Sequence, residues 1–294
     1  MFDLGEHDEY ARLFQRAFRL QPAMMHPSPT DWPVSDGTRA AENLCARAQA
    51  LVDRGVAYSP VLAALAIGEA VLGNRVAVRR LMDYDRFLRC LTVPVPGDFS
   101  GEDFHAELEA EIRMDLKYHD PQEGGVMRKS WRNDHILASG QPASCALGKE
   151  IHRRVEQYIA ALPSGTDHPF VVARPHDYVI DGWALITSGP GHLIPHIHLR
   201  AWLSGVYYVR RPEPVRTSGD SGGALRLAAP DNLGIPQPGG WPVQMIEPAP
   251  GTLVLMPGYF FHSTIPTHVD EERICVAFNV YPREFAHMAK VILA

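Results

Sequence analysis

Three histidines and one arginine in the last third of the chain have the residue types and spacing of a metal site beside an anion site. His196 and His198 are two residues apart, and residues so spaced on a β-strand point to the same face. Their imidazoles can therefore converge on one ion, and His262 could supply a third ligand. Arg273 is a permanent cation that can hold a carboxylate through two hydrogen bonds. Three metal ligands that leave coordination positions open, beside a carboxylate-binding arginine, indicate a metal enzyme with an acidic co-substrate.

Each of these residues also has an interpretation without a metal. The histidine pair could be hydrogen-bonded inside a barrel, and Arg273 could pair with the nearby Asp270 or Glu271, because a buried guanidinium needs an anion. His192 is an alternative third ligand, since it comes just before the strand predicted for the pair.

The last predicted strand has two faces of different character. Its apolar face is expected to pack against helices and consists of Ile274, Val276, Phe278 and Val280. Its more polar face is expected to look into a barrel and consists of Arg273, Cys275, Ala277 and Asn279.

Composition narrows the class of protein. A length of 294 residues allows two domains, or one large β domain with a helical extension. The net charge of −6 offers no basic surplus for nucleic acid. The four cysteines are scattered without a CxxC pair, which favours a reducing compartment. Without a signal-like N-terminus or a long apolar run, the chain is predicted to be cytoplasmic and to have no membrane span.

Before residue 165 the pattern is mostly helical. We predict a repeat-like helical extension over residues 1–92, although no fixed repeat period is present. Residues 93–164 are predicted to hold a linker, helices and a loop that pack on the barrel. The predicted helices cover residues 10–18, 38–53, 60–73, 74–82, 102–117 and 144–162. Residues 118–143 are predicted to be irregular, either as a lid or as an ordered surface loop. The first helices could pack on the neighbouring domain or bind a partner.

From residue 165 to 294 the pattern changes to short β-rich segments separated by Gly, Pro and Asn. The predicted strands are residues 170–173, 178–187, 202–209, 224–227, 243–246, 252–256, 262–265 and 273–281. Roughly eight such strands favour a double-sheet jelly roll. The predicted fold is therefore α+β, with a C-terminal double-stranded β-helix after an N-terminal helical extension.

Four sequence blocks resemble the Fe(II)/2-oxoglutarate-dependent oxygenases. They are PHIHLRAWLSGVYYV (195–209), GGALRL (222–227), PAPGTLVLMPGYFFHSTIP (248–266) and RICVAFN (273–279). The HxH followed by SGVYYV resembles one oxygenase family within this group, and the prolyl-hydroxylase-like branch is a more distant likeness. The resemblance implies a hydroxylase-type oxygenase with Fe(II) and 2-oxoglutarate as cofactors.

The resemblance also implies roles for individual residues. His196 matches the first metal ligand and His262 the distal histidine. Arg273 matches the residue that binds the far carboxylate of 2-oxoglutarate, and Tyr207 matches a phenol that contacts the same co-substrate. On the polar face of the last strand, Cys275 and Asn279 are expected to join this co-substrate site.

Two positions depart from the broader pattern of these oxygenases. His198 stands where an aspartate or glutamate usually completes the metal site. Cys275 stands where a hydroxyl residue usually follows the arginine, which weakens or removes one hydrogen bond to the co-substrate. A three-histidine site could bind Fe(II), hold zinc or hold no metal.

Two other functions are therefore kept open. One is a non-catalytic metal- or anion-binding module whose helices bind a partner. The other is a cupin-like dioxygenase that uses three histidines without a co-acid and does not need Arg273. For an oxygenase, the substrate could be a small molecule or a protein side chain, and the oligomeric state is open.

Overall fold

The computed structural model describes residues 34–96, 99, 101–119, 126–213, 221–230 and 240–283. The helix predicted over residues 10–18 lies outside these ranges. The helices are α1 (Val34–Asp53), α2 (Ser59–Val71), α3 (Arg75–Leu81), α4 (Tyr84–Phe87), α5 (Gly101–Arg113), α6 (Pro142–Ala160) and α7 (Pro169–Val172), with a 3₁₀ helix over Ile136–Ala138. The strands are β1 (Arg89–Thr92), β2 (Lys117–His119), β3 (Met127–Asn133), β4 (Tyr178–Leu193), β5 (Leu203–Arg210), β6 (Leu225–Leu227), β7 (Gln244–Ile246), β8 (Thr252–Pro257), β9 (His262–Thr264) and β10 (Arg273–Pro282).

Two antiparallel sheets form the β part of the molecule. The larger sheet has the order β1-β8-β5-β10-β4-β3-β2, and the smaller one has the order β7-β6-β9. An isolated antiparallel bridge between His196 and His262 adds a fourth segment to the smaller sheet. Four central strands of the large sheet and four segments of the small one make the double-stranded β-helix. The predicted α+β fold with a jelly roll is confirmed.

A glycine in the SGVYYV block has a steric role in the large sheet. Gly205 on β5 lies opposite Phe278 on β10, and a Cβ at Gly205 would collide with the Phe278 ring. Because glycine leaves this space free, the Phe278 ring packs directly over the backbone of β5.

The helices before the barrel pack on it. Helix α2 begins with Pro60 in its first turn, which suits the fixed φ of proline. Tyr259 follows β8 and donates a hydrogen bond from its hydroxyl to Leu81 O at 2.6 Å. Tyr158 on α6 donates to Phe87 O at 2.8 Å. One continuous apolar core joins helices and strands. No helix in the described part of the chain is long and apolar enough to cross a membrane.

Two helix starts show how side chains satisfy backbone groups. The side chain of Asn74 accepts a hydrogen bond from Ala77 N at 3.3 Å, so Asn74 caps α3. Helix α6 is capped from a distance, because the buried carboxylate of Glu111 accepts from Ala143 N at 2.8 Å and Ser144 N at 2.7 Å. This contact ties α5 to α6 beside the barrel.

Three local predictions were wrong. Residues 118–143 are not irregular throughout, since β3 pairs with β4 and with the edge strand β2. Solvent on the outer face lets polar side chains occupy such strands. Residues 170–173 overlap α7 instead of a strand, because Pro169 starts a helical turn whose Val171 N and Val172 N donate to His168 O. The helix-to-linker transition near residue 90 contains β1, which pairs with β8.

Candidate metal centre and co-substrate pocket

The small sheet brings two of the three histidines together through their backbones. His196 N donates to His262 O, and His262 N donates to His196 O, both at 3.0 Å. His198 does not lie on a regular strand. Its N–H donates to Gly258 O at 2.8 Å, just before the turn at residues 199–200. Backbone pairing therefore positions His196 and His262, and the chain that follows His196 carries the third ring to them.

The three imidazoles form one compact group. Their candidate ligand atoms all lie within 4.8 Å of one another. The Nε2 atoms of His198 and His262 are 3.2 Å apart. Two nitrogens about 2.1 Å from one ion, at angles of about 90–110°, would be roughly 3.0–3.4 Å apart. The group therefore fits a single metal ion, and no carboxylate belongs to it within the described ranges.

Hydrogen bonds orient two of these rings. His196 Nδ1 lies 2.7 Å from Ile194 O, and His262 Nδ1 lies 2.9 Å from Phe260 O. Because a carbonyl oxygen only accepts, each Nδ1 carries the proton and each Nε2 keeps its lone pair. Burial lowers the pKa of all three imidazoles, and that of His198 falls to about 3. The rings are neutral at pH 7, as metal ligands must be.

The alternative ligand His192 lies outside this group. Its Nδ1 is hydrogen-bonded to Pro190 O at 2.8 Å, and its side chain is not among those that meet around the candidate site. The structure does not support His192 as the third ligand.

A cavity of about 310 Å³ connects the histidines with the other predicted site residues. Its lining includes the three histidines, Arg273, Cys275 and Asn279. Residues from both sheets line the cavity, so it lies inside the jelly roll. The polar face of β10 points into this cavity as predicted.

Arg273 has polar neighbours but no carboxylate. It is 2 % exposed, and its Nε donates to Gly223 O at 3.0 Å. Its Nη1 lies 3.4 Å from Cys275 Sγ, and its guanidinium lies over the Tyr208 ring at 5.0 Å. Neither Asp270 nor Glu271 forms an ion pair with it, and no other carboxylate of the described chain does. Its charge is buried and lacks an anion.

The structure places Tyr207 outside the cavity and Tyr208 in it. Tyr207 Oη is 2.8 Å from His105 Nε2 on α5, on the helix-facing side of β5. Tyr208 pairs with Cys275 across the sheet and lines the cavity. Neighbouring residues on a strand point to opposite faces, so only one of the two phenols can reach the co-substrate pocket. The phenol that faces the cavity is therefore Tyr208 and not Tyr207, to which the resemblance gave a co-substrate role. The Tyr208 hydroxyl is buried and has no hydrogen-bond partner among the described residues.

Two cavity residues complete the surroundings of His198. The ring of Trp183 is stacked on His198, with centroids 6.0 Å apart and planes 25° apart. The guanidinium of Arg132 lies over the Trp183 ring, 4.6 Å from its centroid. The Nε of Arg132 is 2.5 Å from Asp134 Oδ1. Arg132 was missed because it lies in the segment predicted to be irregular.

One family model matches the part of the chain that holds the three clustered histidines. Residues 181–279 match a family model described as "Putative 2OG-Fe(II) oxygenase". No functionally curated protein matches the sequence.

Several solved structures resemble the chain at low identity. A prolyl-4-hydroxylase from Pseudomonas putida is 16% identical, with a TM-score of 0.45, over 73% of this chain and 98% of that one. A Trichoplax adhaerens prolyl hydroxylase in complex with a hypoxia inducible factor peptide fragment is 13% identical, with a TM-score of 0.45, over 76% and 94%. HygX from Streptomyces hygroscopicus, with nickel and 2-oxoglutarate bound, is 16% identical, with a TM-score of 0.43, over 70% and 87%. With identities below 25% and TM-scores below 0.5, these likenesses give no information about the substrate of this chain.

The matched segment contains most of β4, the three clustered histidines and most of β10, all of which contribute residues to the cavity lining. Residues 181–279, about a third of the chain, are therefore similar to the family described as putative 2OG-Fe(II) oxygenases.

Proposed function

We propose that this chain is a hydroxylase-type Fe(II)/2-oxoglutarate-dependent oxygenase. In this proposal His196, His198 and His262 hold Fe(II), and Arg273 binds the far carboxylate of 2-oxoglutarate. The substrate is a small molecule or a protein side chain.

One observation carries the proposal: a single cavity is lined both by three clustered imidazoles, which could hold a cation, and by a guanidinium, which could hold an anion. The three imidazoles offer neutral donor atoms to a metal. Arg273 presents a buried charge without a carboxylate partner among the described residues. Burying an unpaired guanidinium is costly, so a ligand carboxylate is its expected partner. 2-Oxoglutarate suits both groups, since one part of the molecule can chelate a metal and its far end carries a carboxylate for Arg273.

The residues of the cavity have separate tasks in this proposal. The Gly223 carbonyl holds the Nε of Arg273, which leaves the remaining N–H donors for the co-substrate. Tyr208 lies beside this guanidinium and can donate its hydroxyl to the same carboxylate. The Cys275 thiol is a weaker donor than the usual hydroxyl. Bound Fe(II) supplies the activation of dioxygen that hydroxylation needs.

The walls and mouth of the cavity define where a substrate would enter. Leu185, Val206 and Met256 line the interior and keep water away from the imidazoles. Val126 and Leu199 also line the cavity and are 37% and 45% exposed, so they form an apolar rim. A substrate would present an apolar group to this rim and its reacting carbon to the metal site.

The direct test is the release of succinate from 2-oxoglutarate by the Fe(II)-loaded protein under air. Slow release without added substrate is expected, and His262→Ala should abolish it. A protein that binds metal and 2-oxoglutarate but releases no succinate with any substrate pool would instead be the non-catalytic module. Full oxygenase activity of Arg273→Ala would favour the cupin-like reaction without a co-acid.

A further inference from the structure

The three candidate ligands differ in what orients their rings. In His196 and His262, Nδ1 is hydrogen-bonded to the carbonyl oxygen two residues earlier, that of Ile194 or Phe260. The corresponding carbonyl for His198 is His196 O. That oxygen already accepts the backbone N–H of His262 at 3.0 Å. Among the described residues, no hydrogen bond joins this oxygen to the His198 ring, whose one hydrogen-bond contact is with His262 Nε2.

A side chain from β10 is placed to orient the His198 ring instead. The amide of Asn279 is 5% exposed, and its Nδ2 donates to Tyr281 Oη at 2.7 Å. This bond fixes which way the amide points. Oδ1 is then a buried acceptor, and it has no regular hydrogen bond to any residue in the described ranges. A buried acceptor without a donor is costly, so a donor is expected beside it.

His198 is the neighbour that can supply this donor. Both side chains line the same cavity, and Trp183, which stacks on His198, pairs across the sheet with Ala277, two residues before Asn279 on the same face of β10. His198 Nε2 already faces His262 Nε2 at 3.2 Å, which leaves Nδ1 for Asn279. The stacked Trp183 ring restricts rotation of the imidazole plane. What remains to be chosen is the nitrogen that carries the proton.

We propose that Asn279 is a positioning residue for the metal site, which accepts the Nδ1–H of His198 and so presents Nε2 to the metal. The inference rests on the proposed metal site. It differs from the co-substrate role that the sequence suggested for Asn279. A carboxylate at position 198 would need no such partner, because it has no tautomers. The need for Asn279 therefore depends on the histidine at position 198.

The test measures Co(II) affinity of the full chain by visible absorption in competition with a chelator. Asn279→Leu removes the acceptor at similar volume and should weaken binding by about 10- to 100-fold. Asn279→Asp keeps an acceptor and should bind at least as tightly as the wild type. In a His198→Asp background, Asn279→Leu should change the affinity by no more than about twofold, because the coupled partner is gone. Equal losses in both backgrounds, or no loss in either, would overturn the inference.

A second measurement does not depend on the folding of any variant. Long-range ¹H–¹⁵N NMR of the Zn(II)-loaded wild type should show His198 protonated at Nδ1. Coordination of the metal through Nδ1 would refute the role of Asn279.

The outcomes also separate this inference from the proposed function. If wild type binds Co(II), His262→Ala does not, and Asn279→Leu binds like wild type, only the positioning role fails. If wild type does not bind Co(II) at all, the proposed metal site and the inference fail together.

Discussion

Two unlike groups line the cavity: three imidazoles that converge, and a single guanidinium that lies over a phenol ring. The imidazoles are neutral, and two of them have their second nitrogen satisfied by a backbone carbonyl. Burying these neutral imidazoles without a bound cation therefore costs little free energy. Arg273 is charged whether or not a ligand is present, and it has no carboxylate partner in the described chain. The histidine group is therefore stable without its ligand, whereas the buried charge of Arg273 is stabilised only when an anionic ligand binds.

The largest expected effect is at the histidine group. His262→Ala removes one of three ligands, and metal affinity should fall by more than about 100-fold, since losing a supporting residue alone costs about 10- to 100-fold. Succinate release should disappear with it. Metal analysis after dialysis measures the loss. His192→Ala is the matched control and should retain metal, because His192 lies outside the group. Loss of metal in the control instead would reverse the assignment.

The arginine site should show a loss of binding together with a gain in stability. Arg273→Met should weaken 2-oxoglutarate binding by roughly 30-fold or more, because truncating one partner of a buried charge pair costs about 2–5 kcal/mol. Without 2-oxoglutarate, the same variant should melt at a higher temperature, since an unpaired buried charge is removed. Calorimetric titration and thermal unfolding with and without 2-oxoglutarate measure both effects. A lower melting temperature without ligand would show that Arg273 is already paired.

The two adjacent tyrosines on β5 test on which side of the sheet the anion site lies. Tyr208→Phe should weaken 2-oxoglutarate binding by about tenfold, the value of a hydrogen bond to a charged group. Tyr207→Phe should leave that affinity unchanged. It should instead lower the free energy of unfolding by about 1 kcal/mol, because the hydrogen bond to His105 is lost. Equal effects of both variants on 2-oxoglutarate would contradict the register of β5.

The smallest expected effect comes from Cys275→Ser. A hydroxyl is a stronger hydrogen-bond donor than a thiol. 2-Oxoglutarate should bind about two- to tenfold tighter, in line with one additional neutral hydrogen bond of about 0.5–1.5 kcal/mol. Titration of wild type and variant side by side measures this. Weaker binding by the serine variant would mean that the thiol packs against the co-substrate instead.

The β-rich part could be predicted in detail because alternation within a strand is a local property. The strands at 252–257 and 273–282 were predicted within one residue at each end, and so were the two faces of β10. The polar strand β3 was missed, since its sequence has few apolar residues and an irregularity between Arg128 and Ser130 interrupts the alternation of its faces. The turn at 169–172 was read as a strand because its apolar residues suit both structures.

Within the site, the sequence predicted which types of residue line the cavity, but it could not predict which of two similar residues faces it. Tyr207 and Tyr208 are chemically identical, and only the pairing of β5 with β10 decides which of them meets Cys275. The amide of Asn279 was assigned to the co-substrate because it shares a face with Arg273. The role that we propose for it beside His198 depends on where the chain turns after residue 198, which no spacing within β10 can indicate.

By itself the sequence determined the ligand types, the cation for an acidic co-substrate and the alternating faces of the strands, since these follow from side-chain chemistry and from the period of two in a β-strand. The tertiary structure decided which residues meet. β10 lies between β4 and β5, and His196 pairs with His262, although these partners are far apart in the chain. Such pairings depend on the packing of two whole sheets, so no local pattern could establish them.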